Sequence, residues 1–456
     1  MFKRILLLLG CILLLFIAWR SVLKITSPAE KQAALLTSAD IEIGRGTFVN
    51  AVPYLTEAAK YSAAQTFEAL EKLKNVYLQL GSTQEYVNVL KRQTSRADCP
   101  AAVYDEFAHY YLDQDMLTDA LKIMKLGIER TNEENLINLY ESRRYAYTIG
   151  SEIFEDVTAY HNGGIQVKSG GFWGLANTSG KIIIPCEYLQ VSTYDLSNDG
   201  CVIAMRTDKK TVALNLSNQS TAIFETPVAK IGNLSQDIIP MQLESGKWII
   251  ADGKLVSNYT EYDRLGTPAN SAVAICVSGK WGVSSLDGKS IVPYEYDEII
   301  MDELGRCYAQ NAVFAKKDDA VFLYVNGIAQ AETYEDARPF SDDGWAAVKK
   351  NGKWGFINTS GEAEINYQFE DAFSFGQHLA AVRTINADAD ANANADKSGL
   401  EGADIEDAQT ELWGYINPEG KIAIDPLFIQ AKSFSNGYAP VLTELGWQFI
   451  SLTEYK

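Results

Sequence analysis

The sequence predicts a multidomain chain of α + all-β class: a helical region followed by an antiparallel β-repeat array. Two observations predict the array. Trp-Gly recurs at Trp173-Gly174, Trp281-Gly282, Trp354-Gly355 and Trp413-Gly414, with a turn glycine seven residues after each tryptophan, at Gly180, Gly288, Gly361 and Gly420. An aromatic stands fifteen residues after each tryptophan, at Tyr188, Tyr296, Phe369 and Phe428. Such self-similarity marks supersecondary units that bury their apolar faces only by stacking on one another. A third observation predicts the helices: before residue 150 the hydrophobic period is helical, with Phe67, Leu70, Leu73, Tyr77 and Leu80 on one stripe.

Composition narrows the functional classes. The chain has 456 residues, 47% of them apolar, and a formal charge of -19. That charge argues against gripping nucleic acid or anionic lipid through a net field. The six cysteines form no C-x-x-C, so neither a zinc ribbon nor a thioredoxin-like site is indicated. Cys99, Cys186, Cys201, Cys276 and Cys307 read as buried small hydrophobes.

Residues 1–24 read as an uncleaved membrane signal anchor. Lys3 and Arg4 precede an uncharged apolar run from Ile5 to Trp19, and Arg20 and Lys24 follow it. The run is short for a span of about 17 to 25 residues, although snorkelling flanks extend it. A cleaved signal peptide is the first alternative, but Ile17-Ala18-Trp19-Arg20 is a poor cleavage site. A lipoprotein is the second, since Leu8-Leu9-Gly10-Cys11 resembles a lipobox; against it, the apolar run continues through Ile12 to Ile17. The acidic body is expected outside the cytoplasm.

Residues 25–152 form the helical domain. Tyr104, Phe107, Ala108 and Tyr111 make a second apolar stripe, and Tyr77, Tyr111 and Tyr145 stand 34 residues apart. The unit from Tyr104, continuing through Ala120, Met124 and Gly127, resembles a tetratricopeptide repeat, with small residues where two helices approach. Asn132 stands where that repeat carries a helix-breaking proline. Lys74 and Tyr86 occupy positions of the preceding copy where small residues belong.

Residues 153–456 form the β-repeat domain, with about eight units of roughly 35 residues. Around Trp354, one strand is expected from Gly344 to Lys349. Asn351-Gly352 makes a type I′ turn, Lys353 to Asn358 is the second strand, and Ser360-Gly361 turns into a third near Glu364 to Tyr367. Each unit is then a three-stranded meander. The tryptophans read as the core of the repeat, with the following glycine leaving room for the ring or a neighbouring backbone.

The segments Lys353 to Gly361, Ile291 to Asp297 and Phe340 to Val348 resemble the bacterial WG repeat. The resemblance spans roughly 160–456 if degenerate copies are counted near Thr211 to Phe224, at Trp248, near Val321 to Glu335, and at Trp447. Its structural motif is then Trp173, Gly174, Trp248, Trp281, Gly282, Trp354, Gly355, Trp413, Gly414 and Trp447. The resemblance implies a bacterial secreted or envelope protein with binding surfaces, and no particular reaction. Closure stays open: three strands fall below the four of a propeller blade, so a propeller-like toroid and a β-solenoid compete. The last unit, with strands near Tyr438 to Leu442 and Trp447 to Leu452, lacks a third strand. It is either completed by another segment or caps an open array.

An alternating Ala-Asp/Asn stretch in 386–411 reads as a disordered loop insertion. It is not an EF-hand, because Ala393 stands where glycine is needed and Gly399 where glutamate is. Catalytic signals are few. His109, His161 and His378 are scattered, and no nucleophile elbow, H-E-x-x-H or P-loop occurs. Glu187, Glu295 and Asp297 fit the solvation of turns, with paired glycosidase carboxylates as the alternative. The sequence thus points to a non-catalytic, membrane-anchored binding or scaffold protein of the cell envelope, with protein partners or cell-wall polymer as ligands. An envelope enzyme acting on glycan is the alternative. Neither cofactor, metal nor nucleic acid is expected.

Overall fold

The structure, a computed structural model, describes residues 27–61, 65–161, 163–193, 200–216, 221–257, 259–385 and 411–455. The expected anchor, and the expected insertion up to residue 410, lie outside these residues. Among the described residues no helix is long and apolar enough to cross a membrane. The chain divides into two compact units, Met1–Arg144 and Tyr145–Lys456.

Seven helices are described in the first unit: α1 (Pro28–Gly44), α2 (Phe48–Ala58), α3 (Thr66–Gln79), α4 (Thr83–Thr94), α5 (Ala101–Leu112), α6 (Leu117–Thr131) and α7 (Glu134–Glu141). Ser27 caps α1, its hydroxyl accepting from the Glu30 N–H at 3.2 Å, with Pro28 in the first turn. Ala108 and Ala120 are fully buried, and a Cβ added to Gly127 would lie 2.8 Å from Tyr104 and Leu136. Small residues at these three places are therefore a steric demand of close helix packing. Asn132 ends α6 in the left-handed region, φ +50°, which stops the helix without a proline. Lys74 and Tyr86, too large for a small-residue position, are accommodated by Glu106: Lys74 Nζ donates to one carboxylate oxygen at 2.5 Å and Tyr86 Oη to the other at 2.7 Å. Tyr145 departs from the expected 34-residue series. It lies beyond the last helix and packs on the core of the β-unit instead.

The β-unit is an eight-bladed propeller. Blade 6 shows the pattern, with β21 (Asp336–Ala337), β22 (Trp345–Lys350), β23 (Lys353–Asn358) and β24 (Ala363–Phe369) hydrogen-bonded in that order. The expected three-stranded meander is thus one strand short. The missing element is the two-residue inner strand, too brief to show a period-two alternation. Asn351 and Gly352, at φ +53° and +78°, make the expected I′ turn. The remaining blades run 156–188, 190–224, 228–252, 264–296, 298–334 and 371–428, with blade 8 at 430–452. Blade 3 has three regular strands, and its fourth place is held by single bridges such as Trp248 to Tyr262.

The fixed offset of fifteen has a geometric cause. Trp173 pairs directly with Tyr188, Trp281 with Tyr296, Trp354 with Phe369 and Trp413 with Phe428. Just beyond each pair the outer strand bulges toward the glycine. A Cβ on Gly355 would stand 2.8 Å from the Ile365 carbonyl oxygen, and one on Gly174 2.5 Å from that of Ile184. The glycine thus makes room for a neighbouring backbone.

Blade 8 settles the closure. Its outer place is taken by β1 (Tyr147–Ile149), which pairs with β31 (Gly446–Leu452), and by Phe154, which bridges Trp447 as Phe369 pairs with Trp354. The N-terminal segment therefore completes the last unit, closing the ring and setting aside an open solenoid. For the same reason the division falls at 144/145 rather than at 152/153. Blade-to-blade cores continue around the join: Phe154, Val157 and Ile165 pack with Trp447 and Phe449, and Leu175 and Ile184 with Val202 of blade 2.

Candidate functional site

The inner strands and the loops after them line a cavity of about 1070 Å³ around the propeller axis, with lining residues, among those described, from blades 1 and 3 to 8. Among the described residues, the loop ends in two consecutive left-handed residues in four blades: Gln236-Asp237, Asn270-Ser271, Gln310-Asn311 and Gln377-His378. Asn436-Gly437 does the same in blade 8. Small or amide-bearing residues dominate because these φ values strain most others.

These turns are tied to one another in sequence order. Gln236 Oε1 accepts from the Ser271 N–H at 3.1 Å, Asn270 Nδ2 donates to the Tyr308 carbonyl at 2.9 Å, and Gln310 Nε2 donates to the Asp342 carbonyl at 3.2 Å. Asp343 Oδ2 then accepts from the His378 N–H at 2.9 Å, and Gln377 Oε1 from the Gly437 N–H at 2.6 Å. Six blades are linked through this circlet, so the rim of the cavity is a preorganised polar frame.

Blade 5 departs from the others. Its inner loop runs 300–311, twice the length of 232–237 in blade 3 or 266–271 in blade 4. The extra length makes a strut across the axis. The Leu304 carbonyl accepts from Asn233 Nδ2 at 3.0 Å and Thr267 Oγ1 at 2.6 Å, and the Gly305 carbonyl from the Thr267 N–H at 2.7 Å. Gly266 leaves the space, since a Cβ there would lie 2.8 Å from the Gly305 oxygen. Beyond Leu304, Arg306 donates to Asp302 at 2.7 Å and meets His161 Nδ1 of blade 1 at 2.8 Å. On the other side Glu303 accepts from Lys432 Nζ of blade 8 at 2.5 Å.

Electrostatics follow from enclosure. The channel walls push the Glu303 carboxyl above its ordinary range, against the opposing pull of Lys432. Burial pushes the Cys307 thiol up to about 12, leaving an inert thiol rather than a nucleophile. Arg338 lies 4.6 Å over the Trp354 ring and 3.3 Å from Asp371, and Lys432 lies 5.2 Å over the Trp447 ring.

The residues singled out by sequence lie elsewhere. Trp281, Trp354, Trp413 and Trp447 are 8%, 3%, 6% and 6% exposed, and Trp173 and Trp248 are half-buried. The Trp354 ring packs with Ala372, Phe375 and Val382 of blade 7. Gly174, Gly282, Gly355 and Gly414 sit beside them under the outer strands. Of the histidines, His161 lines the cavity, His378 stands on its rim, and His109 is half-exposed on α5 beside the Asp105 carbonyl. Of the repeated acids, Asp297 proves to be a staple. Asp297 accepts from Lys280 at 2.6 Å and from the Asp318 N–H in the next blade's turn at 2.9 Å, while Asp263 does the same for Lys247 and Gly279. The cavity residues were missed because each comes from a different repeat; the one available signal was the long inner loop of the fifth unit. Among the described residues no group of His, Cys, Asp and Glu could hold a metal ion.

Comparison with known proteins gives a family for the repeats. The WG containing repeat matches residues 173–210, 328–354, 354–386 and 413–444. No curated protein matches the chain. Among solved structures, BamB from Moraxella catarrhalis is 11% identical, over 68% of this chain and 94% of that one, with a TM-score of 0.39. A catalytically inactive virginiamycin B lyase from Staphylococcus aureus with quinupristin is 12% identical, over 67% and 98%, with a TM-score of 0.31. Three of the four family matches begin on the tryptophan that pairs with the outer strand of its blade, and on this agreement of sequence and geometry the chain is a WG repeat protein.

Proposed function

We propose that the protein is a non-catalytic binding or scaffold protein of the bacterial cell envelope, held to a membrane by its N-terminal apolar segment. The observation that carries the reading is the axial mouth: five successive turn-to-turn hydrogen bonds hold a polar rim in place around a cavity of about 1070 Å³. A rigid frame with convergent polar groups is what binding without reorganisation requires. The hairpins α3–α4 and α5–α6, whose first helices begin at 66 and 101 and second helices at 83 and 117, read as tetratricopeptide-like and offer a further surface for protein partners. Asp297, one of the acids that could pair as glycosidase carboxylates, is committed to a staple, which favours binding over turnover.

Incubating the full chain, in detergent, with peptidoglycan fragments tests the reading. Saturable binding with fragments recovered intact is expected. Recovery of cleaved fragments, absent from a heat-denatured control, would replace it with an envelope enzyme.

A further inference from the structure

The axial cavity holds more acid than its bases use. Asp302 is fully engaged, accepting from the Leu304 and Arg306 N–H groups and from the Arg306 guanidinium. Arg338 faces Asp371 and the Trp354 ring, and Lys432 faces Glu303 Oε2 and the Trp447 ring. Arg306, Arg338 and Lys432 thus each already have an acid or an aromatic face.

The reverse does not hold. Among the described residues Glu303 Oε1 has no protein partner, and Asp342 uses only its backbone carbonyl in the circlet. Asp343 uses one oxygen for the His378 N–H, with the other 3.9 Å from the His378 ring. Glu303 sits on the strut and Asp342 in a rim turn, so two spare carboxylates stand at different places along one cavity. A chain of net charge -19 concentrates cations at such a mouth.

We propose that the axial cavity binds an organic cation, a primary amine on an unbranched chain, with one ammonium on Glu303 Oε1 and another at Asp342. The inference rests on the binding-protein reading and gives it a ligand class. Lys432 stays on Glu303 Oε2 while the ligand takes the open oxygen. A second cation there also offsets the enclosure that holds the Glu303 carboxyl above its ordinary range.

Two sources carry this chemistry, a free polyamine and the lysine side chains of a peptide. Calorimetric titration of the full chain with spermidine and, separately, with acetyl-Lys-Lys-amide distinguishes them. Buffer at about 0.15 M salt screens the outer surface. One saturable site is expected for at least one probe, weakened at least about tenfold in the Glu303→Gln/Asp342→Asn double variant. The outer-surface pair Asp208→Asn/Glu261→Gln should bind as wild type. If the double variant fails to melt cooperatively, the Asp342→Asn single variant, altered only in an exposed turn, carries the comparison. The proposal is overturned if neither probe saturates, if the cavity variant binds undiminished, or if the surface pair weakens binding as much. Peptidoglycan fragments that still bind intact would then leave the binding-protein reading standing without this ligand.

Discussion

Arg306 of the fifth blade meets Nδ1 of His161 in the first blade at 2.8 Å, although 145 residues separate them. Blades 1 and 5 stand four places apart either way round an eight-membered ring, so this contact spans the axis. The same strut ties Asn233, Thr267 and Lys432 into one polar crossing, linking blade 5 to its neighbour blade 4 and to blades 3 and 8, which are not adjacent to it.

Removing the crossing should loosen the ring centre while leaving the blades intact. Arg306→Ala leaves Asp302 without its guanidinium partner, and a cost of roughly 1 to 3 kcal/mol is expected. Denaturant unfolding measures that cost. Hydrogen exchange adds a local readout: the Thr267 amide, bonded to the Gly305 carbonyl, should exchange faster than amides in the blade strands.

Closure gives a second prediction. A chain of residues 145–456 retains β1 and Phe154, whereas one of 155–456 exposes the edge of β31. The longer form should unfold in one cooperative transition. The shorter should melt at lower temperature and associate through its open edge, with sedimentation as the check.

Trp354 is nearly fully buried between blades 6 and 7 and carries Arg338 on its face. Trp354→Ala should therefore cost roughly 3 to 5 kcal/mol in denaturant unfolding of the β-unit. Unchanged unfolding would mean that the ring is not a core residue of the repeat.

Acid should act through the staples. Hydrogen bonds from Lys247 and Lys280 hold the Asp263 and Asp297 carboxyls below their ordinary range. A depressed carboxyl contributes stability that is present above its unfolded value and lost as pH falls through the folded one. The propeller should accordingly lose stability as pH drops below about 4, the range of an unperturbed Asp. In the Asp263→Asn/Asp297→Asn variant, thermal melts across that range should show a shallower decline.

Local chemistry made part of this architecture legible in the sequence. Asn351-Gly352 announces its turn because two adjacent residues alone must adopt positive φ. The offset from Trp354 to Phe369 is equally local, two strands of one hairpin facing each other across a bulge. Even the WG repeat resemblance rests on such contiguous residues. Tertiary structure decided what depends on distant parts of the chain meeting. The inner strand Asp336–Ala337 is too short to carry a period and exists only because β22 offers it an edge. Closure joins Gly150 to Gln448, a pairing no contiguous motif encodes, because the last unit leaves an edge that any suitable strand could satisfy. The cavity is further still from the linear code: Glu303 and Lys432 acquire their shared environment only when eight blades pack into a ring and bring their inner loops to one axis.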